Sequence, residues 1–219
     1  TQTGCVLPTS SGCILRVKCC DSTLMTQVRL KSAKRVRKLG KKCAIYEIKF
    51  QQDDPRWFSD LQRVVIRPTA ENLTAQSCFE GVISCNNCVW DTCVNIPYLG
   101  DVVGLPRVYM AGAMVSPTIT NTSTGAVISL NNDGAFILPS CQSILLTFWE
   151  GEQLYQDVFG NNLLPLLGSS CLKFNLDSCN TQLCINAEQV DPTRAVVIIE
   201  YFNYFESFSS GASALQGCP

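Results

Sequence analysis

The sequence predicts an all-β fold, an antiparallel sandwich or jelly roll with extended N- and C-terminal arms. Three observations predict it. At least ten short segments run apolar or alternate apolar with polar at strand length. Gly, Pro and Asn punctuate them, and no stretch carries the spacing of an amphipathic helix. Fourteen cysteines are spread along 219 residues, the usage of a chain stapled by disulfides. The predicted organisation is an N-terminal arm over 1–13, a sandwich body over 14–206 and a tail over 207–219. A weak composition shift at 99–106 is where the body would subdivide.

Residues 1–13 carry Thr, Ser, Gly and Pro without periodicity and read as extended. Over 14–19, Leu15, Val17 and Cys19 share one parity, and Arg16 and Lys18 the other: a half-buried strand. Residues 25–30 repeat that pattern weakly. Residues 31–42 form a basic run, Lys31, Lys34, Arg35, Arg37, Lys38, Lys41 and Lys42, with Gly40 as a turn. Residues 43–50 and 61–67 read as strands, the second ended by Pro68. Residues 69–104 hold a cysteine cluster among turn formers. Residues 107–115 read as a strand stopped by Pro117. Asn131-Asn132-Asp133-Gly134 between 126–130 and 135–138 is a hairpin signal. Residues 143–150 read as a buried strand, and 154–159 and 163–167 as short apolar segments that could be helical turns. Residues 171–176 and 183–186 are further strand candidates. The β-branched and aromatic run 195–202 is the best candidate for a central strand, and 207–219 reads as extended.

The chain has no histidine, which excludes Ser-His-Asp and Cys-His catalysis and every His-ligated metal site. With the commonest acid–base residue missing, the chain reads as a non-enzyme, with no catalytic residue, metal or cofactor assigned. No apolar run approaches the ~18 residues that span a bilayer. The tripeptides at Asn72 and Asn121 match the N-glycosylation pattern, which arises often by chance.

The cysteines admit three explanations. Their even number and irregular spread fit disulfides. Cys78, Cys85, Cys88 and Cys93 could instead hold a metal as thiolates, although a zinc ribbon has two CxxC knuckles and only Cys85–Cys88 forms one here. A redox role for that CxxC needs a helix N-terminus to lower a thiol pKa, and its flanks read as strand or turn. Position divides the disulfide candidates. Cys5, Cys13, Cys19, Cys20 and Cys218 lie near the termini, where a segment can reach a neighbouring subunit. Cys43, Cys78, Cys85, Cys88, Cys93, Cys141, Cys171, Cys179 and Cys184 are the candidates for bridges within the chain.

The net charge of −1 hides an asymmetry. Residues 1–67 hold 14 Lys/Arg against 5 Asp/Glu, and residues 68–219 hold 3 against 13. Basic and acidic parts of successive subunits could meet head to tail. The run from Lys31 to Lys42 could alternatively neutralise phosphates on the inner face of a virus coat, or simply solvate a hairpin and guard its edge.

The cysteine-bearing arm (Cys5, Cys13, Cys19, Cys20) and the strand–turn–strand segment over 118–138 resemble the cysteine-rich fibre subunits of bacterial endospore appendages. That resemblance implies a β-sandwich with a flexible N-terminal connector whose cysteines cross-link neighbouring subunits. The basic run and the Cys85–Cys88 motif have no counterpart in it. The functional expectation is therefore a structural subunit of a self-assembling, disulfide-cross-linked filament, extracellular or on a cell or spore surface, whose partners are copies of itself. The alternatives are a virion coat protein with a basic inner surface toward nucleic acid, and a Cys-ligated metal or redox module.

Overall fold

The computed structural model describes residues 3–6, 13–19, 22–39, 43–52, 54–75, 88–130, 135–149, 152–167, 174–177 and 181–215. The chain is all-β, with antiparallel pairing throughout its sheets. It divides into two compact units, neither continuous in sequence. One, the arm unit, is assembled from Thr1–Asp60, Leu99–Val102 and Asn203–Pro219; the other, the sandwich unit, from Leu61–Tyr98 and Val103–Phe202.

The arm unit is one sheet backed by a helix. Its strands are β1 (Thr3–Val6), β2 (Cys13–Cys19), β3 (Ser22–Leu39), β4 (Cys43–Gln52), β5 (Trp57–Phe58) and the late β17 (Tyr204–Phe205), in the order β1-β2-β3-β5-β17 with β4 also on β3. The first described residues are extended, as expected, and paired: Thr3–Val6 lies antiparallel to β2 of the same chain, Cys5 opposite Leu15. The tail is not extended. Phe208–Leu215 is a helix, α1, whose Gly211 is buried so closely that an added Cβ would meet Phe205 at 2.8 Å and Leu24 at 3.0 Å. Leu24, Met25, Thr26 and Val28 bury the base of β3 on both faces, and Phe205 completes the core. Asn203 closes the unit. Its side-chain carbonyl accepts from Leu99 N–H at 2.8 Å, while its own N–H groups donate to Ser59 Oγ at 3.1 and 3.3 Å. Those bonds satisfy polar groups that would be costly to bury alone.

The sandwich unit packs two sheets on one core. The first contains β7 (Leu73–Ala75), β8 (Cys88–Ile96), β10 (Met114–Asn121), β11 (Val127–Ser129), β12 (Ile137–Leu138) and β15 (Thr181–Glu188). The second runs β14 (Leu154–Asp157), β13 (Ser143–Thr147), β9 (Arg107–Ala111), β16 (Val196–Tyr201), β6 (Gln62–Ile66). Alternation directs one side of each strand inward: Trp90 and Ile96 from β8, Leu183 and Ile185 from β15, Val108 and Met110 from β9, Val197 and Ile199 from β16. β16 has a partner on both sides, as its apolar run predicts.

Four local expectations give way to longer-range pairing. Pro117 does not stop a strand. It sits inside β10, where the register with β15 shifts between Val115 and Thr118 and Ser116 takes φ 50°, a bulge that absorbs a residue without an N–H. The segments flanking 131–134 do not pair with each other; β11 and β12 both pair with β10, and the turn itself lies outside the described residues. The cysteine-rich stretch is in part a nine-residue strand, β8. The segment 154–159 is strand β14 followed by a turn, while Leu164–Leu166 is a 3-10 turn as its composition allows.

Candidate assembly surface

The basic run lies on a projecting ribbon. β3 pairs with β2 from Ser22 to Val28 and with β4 from Val28 to Leu39. Beyond Val28, among the described residues, only β3 and β4 remain, paired with each other and flanked by nothing. At ~3.3 Å per residue the ribbon extends roughly 35 Å from the sheet. A lone two-stranded ribbon is marginal in water.

The ribbon is amphipathic. Its register places Leu30 opposite Phe50, Ala33 opposite Ile48 and Arg35 opposite Tyr46 on one face. The other face carries the pairs Ser32–Lys49, Lys34–Glu47 and Arg37–Ile45. Two bulges, at Lys31 and Val36, keep the apolar set on one side despite the uneven spacing in β3. Unlike a core face, this one is open: Leu30 is 57 % exposed, Tyr46 60 % and Ile48 52 %. Residues 22–52 hold nine Lys/Arg and one Glu, a net +8, which leaves −9 on the rest of the chain. Lys49 and Glu47 form an exposed pair at 3.3 Å, so the positive field is nearly undiminished.

The base of the ribbon is fixed. Gln52 Nε2 donates to Thr26 Oγ1 at 2.7 Å, and Thr26 Oγ1 donates to the Arg56 carbonyl at 3.0 Å. Arg56 forms a forked ion pair with Asp54, 2.9 Å to Oδ1 and 2.7 Å to Oδ2, and lies over the Tyr204 ring at 5.2 Å. The hydrogen bonds from the Arg56 side chain hold the Asp54 carboxyl below its ordinary pKa.

A second exposed apolar feature stands on the sandwich unit, after edge strand β14. Asp157 Oδ1 accepts the N–H groups of Phe159 and Asn161 at 2.9 and 2.8 Å, Oδ2 accepts Asn161 Nδ2 at 2.7 Å, and Gly160 turns at φ 81°. The bond from Asn161 chiefly lowers the Asp157 pKa. This turn presents Phe159, 71 % exposed, with Val158, beside a cleft of about 330 Å³ lined by Leu154, Tyr155 and Leu164 together with the polar Gln153, Gln156 and Asn162. Residues 152–167 contain Glu152 and Asp157 and no Lys or Arg.

On the outer face of the five-stranded sheet, Arg107 lies 3.9 Å over Trp149 and pairs with Glu152 at 3.0 Å and Glu200 at 3.8 Å, while Arg63 reaches Glu200 at 3.8 Å. Burial alone pushes the Tyr201 hydroxyl up to about 12.

Among the described cysteines, Cys93 and Cys184 pair within the chain as expected, and Cys141 does not. Cys93 and Cys184, directly opposed on β8 and β15, form a disulfide with a Cα–Cα distance of 4.0 Å. Cys88 is also disulfide-bonded. Two of the four sulfurs of the candidate metal cluster, those of Cys88 and Cys93, are therefore disulfide sulfurs and not thiolate ligands, which counts against the metal reading. Cys141, grouped with the intrachain bridges, is exposed and unbridged, and Cys13 is a buried free thiol. Cys20, Cys78, Cys85, Cys171, Cys179, Cys218, Lys41 and Lys42 lie outside the described residues; of Cys5, Cys19, Cys43 and Lys38 only the backbone is described. Sequence reasoning found the basic residues of the ribbon but not its open apolar face, because residues 43–50 read as a strand and alternation does not say which faces are covered. Residues 154–159 read as a short apolar segment, with no sign that Phe159 is exposed.

No protein-family model and no curated protein matches the sequence. Among solved structures, the chain superposes on the SPP1 Dit (gp 19.1) protein, titled a paradigm of the hub adsorption apparatus in phages that infect Gram-positive bacteria. The TM-score is 0.52 at 12 % identity, over 91 % of this chain and 67 % of that one. At that identity the likeness is one of fold. The phage P2 baseplate in its activated conformation with calcium aligns more loosely, with TM-score 0.45, 11 % identity, and 88 % and 69 % coverage.

Proposed function

We propose that this chain is a structural subunit of a phage virion, a hub-type component of the adsorption apparatus, present in several copies. The shared fold carries the reading. The ribbon supports it independently: a long, pinned hairpin with an apolar face open to water is a surface that a neighbouring subunit would cover. The proposal keeps self-assembly from the sequence reading and moves it from a cell- or spore-surface filament to a virion. The basic ribbon then serves contacts between proteins, and the coat-protein reading becomes the rival.

Immunogold labelling of intact phage particles with antibody raised against this chain tests it. Label confined to the end that attaches to the host is expected. Label over the whole shell would transfer the chain to the coat, and unlabelled particles would overturn the virion reading.

A further inference from the structure

We infer that the β3–β4 ribbon of one copy docks on the Phe159 turn and its cleft in a second copy, in a heterologous contact. This deepens the multi-copy reading above and rests on it. The ribbon's apolar face, Leu30, Tyr46, Ile48 and Phe50, is exposed on a two-stranded element that is marginal alone. The simplest cover, the same face of a second ribbon, sets two net charges of +8 against each other. Like-charge juxtaposition opposes that pairing. The remainder of the chain carries −9, so the ribbon is attracted to the body of another copy and repelled by its ribbon.

Within the body, residues 152–167 match the ribbon on both counts. They expose Leu154, Val158, Phe159 and Leu164 and carry acids without a cation of their own. Glu152 already leans on Arg107, which leaves Asp157 as the acid of that segment without a cationic partner among the described residues. The Asp157 hydrogen bonds fix the turn before any partner arrives, so little order is lost on docking. The cleft of about 330 Å³ has room for an aromatic ring, and Tyr46 is more exposed than Phe50, the other ring on the ribbon's apolar face, with Arg35 directly opposite it. Ribbon and turn are different surfaces, so each copy has one of each to offer. Contacts of this kind build a ring where the rotation closes and an open helical stack where it does not.

The test uses the purified full chain, by native mass spectrometry and light scattering. Tyr46→Ser with Ile48→Ser on the ribbon, and separately Phe159→Ser on the turn, should each weaken assembly at least about tenfold. All three substitutions lie on exposed residues, and circular dichroism checks that each variant folds. Mixing the two variants should restore 1:1 pairs and nothing larger, because one intact ribbon then meets one intact turn. Raising salt should weaken the wild-type contact. A wild-type chain that stays monomeric, a Phe159→Ser chain that assembles normally, or a mixture that yields no pairs overturns the inference. These outcomes are separate from the immunogold result: labelled particles with assembly insensitive to the variants sink the docking alone, and sensitive assembly with unlabelled particles sinks the virion reading alone.

Discussion

The ribbon and the sandwich are written in the same pattern and end in opposite environments. In β8, Trp90 and Ile96 alternate with Asp91 and Asn95, and the apolar members are fully buried. In β4, Tyr46, Ile48 and Phe50 alternate with Glu47 and Lys49, and the apolar members face water. Period-two alternation therefore specifies that one face is to be covered and is silent about what covers it. In the sandwich the second sheet does so. On the ribbon, among the described residues, nothing in the same chain does. The difference also marks where stability resides, in the sandwich core and in the pinned base of the ribbon.

The sandwich side of the comparison breaks most easily at Trp90. Trp90→Ala empties the largest fully buried position and should cost about 3–5 kcal/mol, read as a lower unfolding midpoint in urea. An effect no larger than a surface substitution's would mean that the two sheets are not packed as described. Next in size is the Cys93–Cys184 bridge, which joins positions 91 residues apart. Replacing both with Ser should cost about 2–4 kcal/mol in thermal unfolding under non-reducing conditions. The same variant should show less sensitivity to added reductant than the wild type, since one of its reducible links is gone.

Much of this architecture was legible, and the misses have physical causes. The strands at Cys13–Cys19, Gln62–Ile66, Ser143–Thr147 and Val196–Tyr201 follow from alternation or from a β-branched run. β8 was hidden because Cys, Asn and Asp give weak local preference there, while Trp90 and Ile96 are held by the core. The turn signal at 131–134 is local, and β10 outcompetes it by pairing with both flanks. Helix α1, written Phe-Ser-Ser-Gly-Ala-Ser-Ala-Leu, has poor propensity and no charge; packing of Gly211 on Phe205 and Leu24 supports it. The two-unit division is hard to read from the sequence because the arm unit is gathered from three separated segments. For the candidate site, the basic residues announce themselves as a run. The exposure of Tyr46 and Phe159 does not, since an aromatic residue in a strand or beside a turn has the same appearance whether it is core or contact.

The pinned base of the ribbon responds to pH. The Asp54 carboxyl titrates below its ordinary value of 3.8 because Arg56 donates to it. A depressed folded pKa means that the stabilisation is complete above about 3.8 and is lost as pH falls through the folded value. The pair is partly exposed, so the contribution is small, about 0.5–1 kcal/mol. Asp54→Asn should remove that much at neutral pH and flatten the pH dependence of unfolding below 4, measured by melts across an acid series. A variant with unchanged acid sensitivity would show that other carboxylates carry it.

The smallest expected effect is the most discriminating. Ile48→Ser removes a large apolar side chain, as Trp90→Ala does, yet Ile48 is half-exposed and its neighbours Ala33 and Tyr46 stand in solvent with it. Chain stability at concentrations too low for assembly should move by no more than about 0.5 kcal/mol, the range of a surface substitution. The β-propensity lost at one position of a pleated ribbon is of the same size. At concentrations that favour assembly the same substitution should lower the melting temperature, because any contact made only by folded copies adds to apparent stability by mass action. The comparison therefore rests on the concentration dependence: a penalty of several kcal/mol in dilute solution would place Ile48 in a core of its own chain, and the contrast between a covered face and an open one would dissolve.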